Sequence, residues 1–455
     1  MNEIRYSTVE RLARYVCDLR PTDISDTVKD RAAMCILDTL AAAAAGVHVP
    51  SVVAARQASV ELFGKGDVAI WFDGRRTTAA GAIFANSSAA AVLDMDDGHR
   101  EARGHPAAAI VPAVLAFAAE IGSSADDALS AIAIGYEVGI RIKTGRGDHG
   151  QKGAHGQTGV WAGFGVSAAL CWLRRASHDQ LANSLALAGV FSPNLIATAY
   201  TSQLGADVKE GIPWSAVTGY TSFMLANFGH AGFNDILDHS PFYDSEHILR
   251  GLGEGEMKIK GNYFKPYATC RHFHPALKAL ETLIKKHDIQ PSDIIEIKVY
   301  IYDYALRLSN KTRPENLTDI QYSIPYSMAV MAILGSDAFL PIDESLLDRP
   351  DLCALAEKVE ILVDPEYSAL FPQLQRNRVE VVTACGAYSS PATSAPWDQD
   401  EPMSMKILGR KFRRASANTL NHSQQDDVLR AVEDLVRGEI TPLLEVMASP
   451  TAISL

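Results

Sequence analysis

The sequence is poor in cysteine: among 455 residues only Cys17, Cys35, Cys171, Cys270, Cys353 and Cys385 occur, and no two form a CxxC pair. That scatter excludes a disulfide framework or a zinc ribbon. It fits free thiols packed as small hydrophobes in a reducing compartment. Long apolar runs are also missing, and the N-terminal MNEIRYSTVERLARYV carries acidic residues where a signal peptide would have an apolar core. The expectation is a soluble, cytoplasmic chain with no membrane partner. Positive charge is short as well, since 42 Lys and Arg against 54 Asp and Glu leave a net charge of -12. Without a basic footprint there is no case for nucleic acid as a partner. No Walker pattern, no Gly-rich loop behind a strand and no G-x-S-x-G elbow is found, so neither nucleotide binding nor serine-hydrolase chemistry is indicated.

What is present is a long globular chain, 47% hydrophobic and 21% charged. Its length exceeds what one core usually supports, so two domains or one domain with an insertion is expected. From residue 7 to about 235 the pattern is helical, opening on a capping box of Ser7 and Glu10. A helix from about Thr27 follows through CILDTLAAAAAG, where the alanines permit close helix approach and Gly46 is a terminator. Further helices are predicted over 78–95, 106–121, 126–143, 158–176, 179–190 and 214–228, with Ser177 and Gln180 as another cap. After about residue 265 the pattern alternates in 294–302, 358–363 and 378–382, which reads as strands, with helices near Leu280 and over 323–334 among them. The fold class is mainly α: an all-helical domain from 1–264 and 403–455, and an inserted α+β, lid-like domain over 265–402. The stretch 388–402 reads as a return linker and 403–447 as helical.

Charged and polar residues concentrate in four places. LDMDDGHREARGHPA crowds Asp94, Asp96, Asp97, His99 and His105 together at a helix end, as an acid/base or ligand cluster would; helix capping with exposed histidines is the bland alternative. TGRGDHGQKGAHGQTG sets His149 and His155 in glycine-rich backbone, equally compatible with a surface loop. LGADVKEGIPWSAVTG puts Lys209 and Glu210 before a helix whose Trp214 and Ala216 read as buried, a position suited to an anion or to a plain surface pair. YFKPYATCRHFHPALKAL gathers Lys265, Arg271, His272 and His274 at the domain boundary, where small-molecule clefts lie. Two Asp and two His at short spacing also raise a divalent metal, and the Asp-rich segment raises an isoprenoid-synthase-like site, for which no second metal motif is present.

In this order and spacing, CILDTLAAAAAG, FANSSAAAVLDMDDGH with GHPAAAIVPA, VKEGIPWSAVTG, FKPYATCRHFHPAL, SIPYSMAV and the late GRKF resemble the MmgE/PrpD superfamily over almost the whole chain. The resemblance implies a helical domain built from both chain ends, an inserted α+β lid and a homodimer. It implies catalytic roles for Asp94, His105, His155, Lys209 and Tyr326, with Lys265, Arg271, His272 and His274 binding substrate. Gly98 stands where the family often has Thr, and Thr269 replaces the first Cys of a common CCRH run.

The expected substrate is a small di- or tricarboxylic acid, and no cofactor or metal is expected. Lys209, Lys265 and Arg271 would neutralise its carboxylates, His274 would add a donor, and His155 would act as base or acid with Asp94 and His105. Dehydration or hydration of the 2-methylcitrate dehydratase type comes first from the resemblance. Epimerisation of the iminodisuccinate type and decarboxylation of the cis-aconitate type are alternatives, as is a non-catalytic carboxylate-binding protein.

Overall fold

The computed structural model describes residues 6–146, 157–193, 209–239 and 242–451, without the side chain of Lys209. It is 59% helical and 9% strand. The capping box of Ser7 and Glu10 starts helix Thr8–Asp18, whose apolar face buries Val9, Leu12, Ala13 and Val16. Helix Asp26–Gly46 is buried almost throughout its second half. Its alanine run lets helix Ala79–Ala91 lie close enough that a Cβ on Gly46 would stand 2.3 Å from the Ala89 carbonyl oxygen. Helices Ala107–Ile121, Ala125–Thr144, Ala162–Leu173, His178–Phe191 and Ile212–Asn227 complete this layer, and their facing surfaces carry the same Ala and Gly texture. Small residues allow short interaxial distances, so dispersion contacts form between backbones rather than between long side chains.

Two short pairs, Val68–Ala69 with Arg76–Thr77 and Gly98–His99 with Asn262–Tyr263, interrupt the segment expected to be all helical. The main sheet lies within residues 294–394 and runs Val359–Val363, Ile294–Ile301, Arg376–Thr383, Gly386–Ser389, with Thr393–Ser394 added against Arg376–Thr383. Its first pair is parallel and the others are antiparallel. Alternation is regular: Ile297, Val299 and Ile301 on one strand, and Asn377, Val379 and Val381 on its neighbour, are buried. Helix His274–His287 covers this face with Ala276, Leu277, Leu280 and Leu283, and helix Ile324–Leu334 is buried behind it. The stretch read as a plain return linker holds strand Thr393–Ser394 and then Asp398, which faces Arg271.

The C-terminal helices return to the first layer. Helix Met405–Ala415 sends Lys411 into the core, where its Nζ lies 2.6 Å from Asp38 Oδ1 on helix Asp26–Gly46 and 2.6 Å from the Met95 carbonyl oxygen. Thr419 donates to the Ala44 carbonyl at 2.7 Å, and the Phe72 amide donates to the Met447 carbonyl at 2.8 Å. Both chain ends therefore build one helical body. Trp214 departs from expectation: it is half exposed, tilted against Phe63 and Phe84, while Ala216 is buried. At the second turned-out position of Ile212–Asn227, the wide ring finds an aromatic neighbour at the rim rather than a slot in an Ala/Gly-packed interior. Among the described residues no single helix is long and apolar enough to cross a membrane. The one bent pair that qualifies by composition includes the buried helix Asp26–Gly46.

Lys411→Met strands the buried Asp38 carboxylate and leaves the Met95 carbonyl without its donor, so a loss of about 3–5 kcal/mol is expected in urea unfolding. The double change Asp38→Leu/Lys411→Met removes the orphaned charge and is expected to recover more than half of that loss.

Candidate active site

Three side chains from distant parts of the chain grip the turn that follows helix Ala79–Ala91. Gln321 Nε2 donates to the Val92 carbonyl at 3.0 Å, Lys265 Nζ to the Asp94 carbonyl at 3.0 Å, and Lys411 Nζ to the Met95 carbonyl at 2.6 Å. Within this grip Asp94 adopts a left-handed backbone, φ +53°. That conformation is uncommon for a residue with a Cβ, though Asp tolerates it better than most. Asp97 closes the turn by accepting from Tyr136 Oη at 2.6 Å, Asn262 Nδ2 at 2.9 Å and the Ala107 amide at 3.1 Å. Burial raises its pKa, and the bonds from Asn262 and Tyr136 pull it back. Asp97 is thus a strut, tying the turn to the start of helix Ala107–Ile121.

Gly98–His99 then pairs antiparallel with Asn262–Tyr263, which delivers Lys265 beside Asp94. Gly98 is required by proximity: a Cβ there would lie 2.3 Å from the Tyr263 ring. The Arg271 guanidinium lies over that ring, 3.7 Å from its centroid. The departure from Thr at position 98 therefore goes with a tyrosine stacked over it. His99 is buried, its Nε2 2.9 Å from the Lys258 carbonyl, and burial pushes its pKa down to about 4. The chain doubles back at Gly104 and brings His105 over the acids.

The resulting cluster is buried. Lys265 Nζ lies 2.7 Å from Asp94 Oδ1, His105 Nε2 lies 3.5 Å from the same oxygen, and His105 Nδ1 lies 3.3 Å from Asp96 Oδ1. Among the described residues Asp96 has no hydrogen-bond donor on either oxygen. The His105 pair with Asp96 is close enough for charge attraction but lacks hydrogen-bond alignment. Burial and the nearby Lys265 oppose a charged His105, yet Asp96 and Asp94 outweigh them and its pKa is raised. The two carboxylates that flank the ring thus favour its charged form. Asp94, Asp96 and His105 are also near enough together to serve a divalent cation. Lys265 already supplies positive charge to Asp94, so the set fits an internal ion-pair network without one.

Glu210 stands out in the sequence only as the neighbour of Lys209, and its part in holding His105 through Thr158 is visible in the structure alone. The His105 amide donates to Thr158 Oγ1 at 2.9 Å, and Thr158 in turn donates through Oγ1 and its amide to Glu210 Oε2, both at 2.9 Å. Glu210 stands in the turn Lys209–Gly211 with φ +56°. Its place beside Lys209 was the available signal. Lys209 contributes the backbone of this turn, while its side chain, with His149 and His155, lies outside the described residues.

The remaining candidates divide. Arg271 faces Asp398 at 2.8 Å and Gln375 at 2.8 Å, so its charge is largely committed within the fold. His272 is wedged among Tyr302, Tyr304 and Phe371 and bonds Tyr302 Oη; burial and Arg271 push its pKa down to about 4. His274 is buried and held well below its ordinary pKa by burial, Lys265 and Arg271. Its Nε2 lies 3.1 Å from both the carbonyl and the hydroxyl of Thr269, the first an acceptor and the second able to donate, so either neutral tautomer is satisfied there. Tyr326 is turned away, its hydroxyl bonded to the Leu346 carbonyl. The tyrosine within electrostatic reach of Asp94, Glu210 and Lys265 is Tyr322, whose pKa burial and then Asp94 drive upward. Position 326 lies one helical turn further on, at the first turn of Ile324–Leu334, and is buried there.

A largely helical body carrying a buried Asp–His–Lys cluster, with an α+β segment set against it, defines the class. Residues 10–244 match the MmgE/PrpD N-terminal domain and residues 267–436 the MmgE/PrpD C-terminal domain, and the chain belongs to this family. It is similar to cis-aconitate decarboxylase of Aspergillus terreus (strain NIH 2624 / FGSC A1156), at 26% identity across 96% of this chain and 95% of that one. It is also similar to the cis-aconitate decarboxylase-like protein oryM of Aspergillus oryzae (strain ATCC 42149 / RIB 40), at 23% identity across 96% of each. The human cis-aconitate decarboxylase is 23% identical across 98% of this chain and 96% of that one.

Gly98→Thr drives a side chain into the Tyr263 ring and is expected to lower stability by about 1–3 kcal/mol in thermal or urea unfolding. Tyr263→Ala should remove the added penalty, so that Gly98→Thr costs little in that background.

Proposed function

We propose that this protein is a lyase acting on a small tricarboxylate, with decarboxylation of cis-aconitate or a close analogue as its reaction. The observation that carries this reading is His105 set between Asp94 and Asp96, which raise its pKa, with Lys265 alongside. Loss of carbon dioxide leaves the electron pair of the broken C–C bond on carbon, delocalised toward a neighbouring carboxylate. Lys265 lowers the energy of that charge, and His105 delivers a proton to carbon and is recharged from solvent. Such a step needs an acid in place and no base. The names of the relatives at 23–26% identity support the same order of preference.

Dehydration is the second reading, favoured by His274. A neutral imidazole within reach of Lys265 would pair with the His105 acid, one taking a proton from carbon and the other protonating the departing hydroxyl. On either reading the protein works without a metal or organic cofactor. The homodimer that the family resemblance implies is supported by an apolar rim of exposed Trp214 and Leu62 beside Phe63 and Phe84.

Proton NMR of EDTA-treated protein in deuterated buffer with cis-aconitate, citrate and 2-methylcitrate tests the proposal. The expected result is loss of carbon dioxide from cis-aconitate with one deuterium entering the product. An alkene formed from citrate or 2-methylcitrate would put dehydration first; absence of turnover, or turnover only with added metal, would overturn the proposal.

The pH dependence follows from the raised pKa of His105. The acid is charged below its folded pKa and lost above it, so kcat is expected to hold through pH 6.5 and fall on the alkaline side. His105→Gln should lower kcat by about 10²–10⁴ and abolish that limb.

A further inference from the structure

A second concentration of positive charge lies outside the catalytic cluster, in a cleft where the end of helix Ala125–Thr144 meets the short helix Ser245–Leu249 and the turn before His105. In a chain of net charge -12 its lining is cationic, with Glu101 as its acidic member. Part of that charge is structural. Arg141 is spent on Glu137 at 2.5 Å and on the carbonyls of Ile248, Arg250 and Gly251, which builds the floor. Lys258 pairs with Glu101 at 2.9 Å. Arg103 and Arg250, both exposed, have no acidic partner among the described residues. Arg146 lies against Tyr243, and its buried Nε is without a hydrogen-bond partner among the described residues. Among the described residues three guanidinium groups thus line one concavity without a paired carboxylate, Glu101 being paired with Lys258. Like charges gathered in this way destabilise the fold slightly, which is the arrangement of a site completed by an anion.

The cleft shares a wall with the catalytic cluster. Arg103 is two residues before His105 in the turn that places it, and stands there with φ +50°. The Lys258 carbonyl holds His99 at the start of that turn. The charge of Arg103 is also felt at His272, beside Lys265.

We propose that this cleft is an anion-capture site for small multivalent carboxylates, standing outside the catalytic cluster across the 99–105 turn. Its ligand class rests on the function proposed above. It supplies by local charge what the overall field of an acidic protein denies to a polycarboxylate, and so acts on encounter and KM rather than on the chemical step.

Calorimetric titration of the full chain with citrate, at low and high ionic strength, tests the site without depending on turnover. Wild type is expected to bind citrate with strong salt dependence, and Arg103→Gln/Arg250→Gln to bind it about tenfold more weakly with a flatter salt response. Arg250→Gln alone, away from the turn that carries His105, should give part of the loss. Lys65→Gln/Lys286→Gln removes the same net charge elsewhere and should leave binding unchanged. Equal weakening by the cleft and control variants, or no citrate binding by wild type, would overturn the proposal. So would inorganic phosphate binding more tightly than citrate in a manner lost with Arg103 and Arg250. Failure of every acid to turn over would remove the proposed reaction while leaving these titrations to decide the cleft.

Discussion

The turn at Val92–Met95 is held by its carbonyl oxygens, and the arrangement of the molecule follows from that. Gln321 comes from the α+β segment, Lys265 from the junction, and Lys411 from the returning C-terminal helix. Each would leave a buried donor or a buried acceptor unpaired if its segment were displaced, a penalty that neutral surface contacts do not impose. Three regions far apart in sequence are therefore locked to one turn. Two of the three clamps are lysines, so the same contacts that fix backbone geometry bring positive charge to Asp94 and Asp38.

This coupling accounts for so many ionisable groups in an interior otherwise built of Ala, Val and Leu. A lone buried carboxylate would neutralise itself by taking up a proton. Here Lys265 on Asp94 and Lys411 on Asp38 supply counter-charge, although burial still lifts Asp38 to about 7, and the balance that remains around His105 favours its protonated ring. Because His272 and His274 face Arg271 and Lys265 in a buried setting, the same field keeps them neutral. The two carboxylates beside His105, against burial and the cations around His272 and His274, thus separate the histidines into a candidate acid and neutral partners.

Helix existence was legible in the sequence because Ala-rich segments bounded by Ser caps leave few alternatives: both the Ser7–Glu10 and Ser177–Gln180 capping boxes are present, and the strands at 294–301 and 376–383 follow their alternation. The gathering of Asp94, His105 and Lys265 was legible from the density of charge at a helix end and at the junction. Less visible was anything depending on a side chain's direction across a domain contact. Trp214 reads as core by type yet sits at the rim, Tyr326 carries the motif while Tyr322 faces the acids, and Asp398 hides in a Pro- and Ser-rich stretch while facing Arg271. Glu210 and Thr158, which hold His105 through a chain of hydrogen bonds, carry no periodic signal at all.

The central claim is that His105 is kept charged by Asp94 and Asp96 against the opposing pull of burial and Lys265. NMR titration of the protein labelled on its histidine rings, with His105 assigned by His105→Gln, measures this directly. The account predicts that His105 titrates above pH 6.5, that Asp96→Asn moves it down, and that Lys265→Met moves it up. A His105 ring that titrates below 6.5 and ignores both substitutions would contradict it.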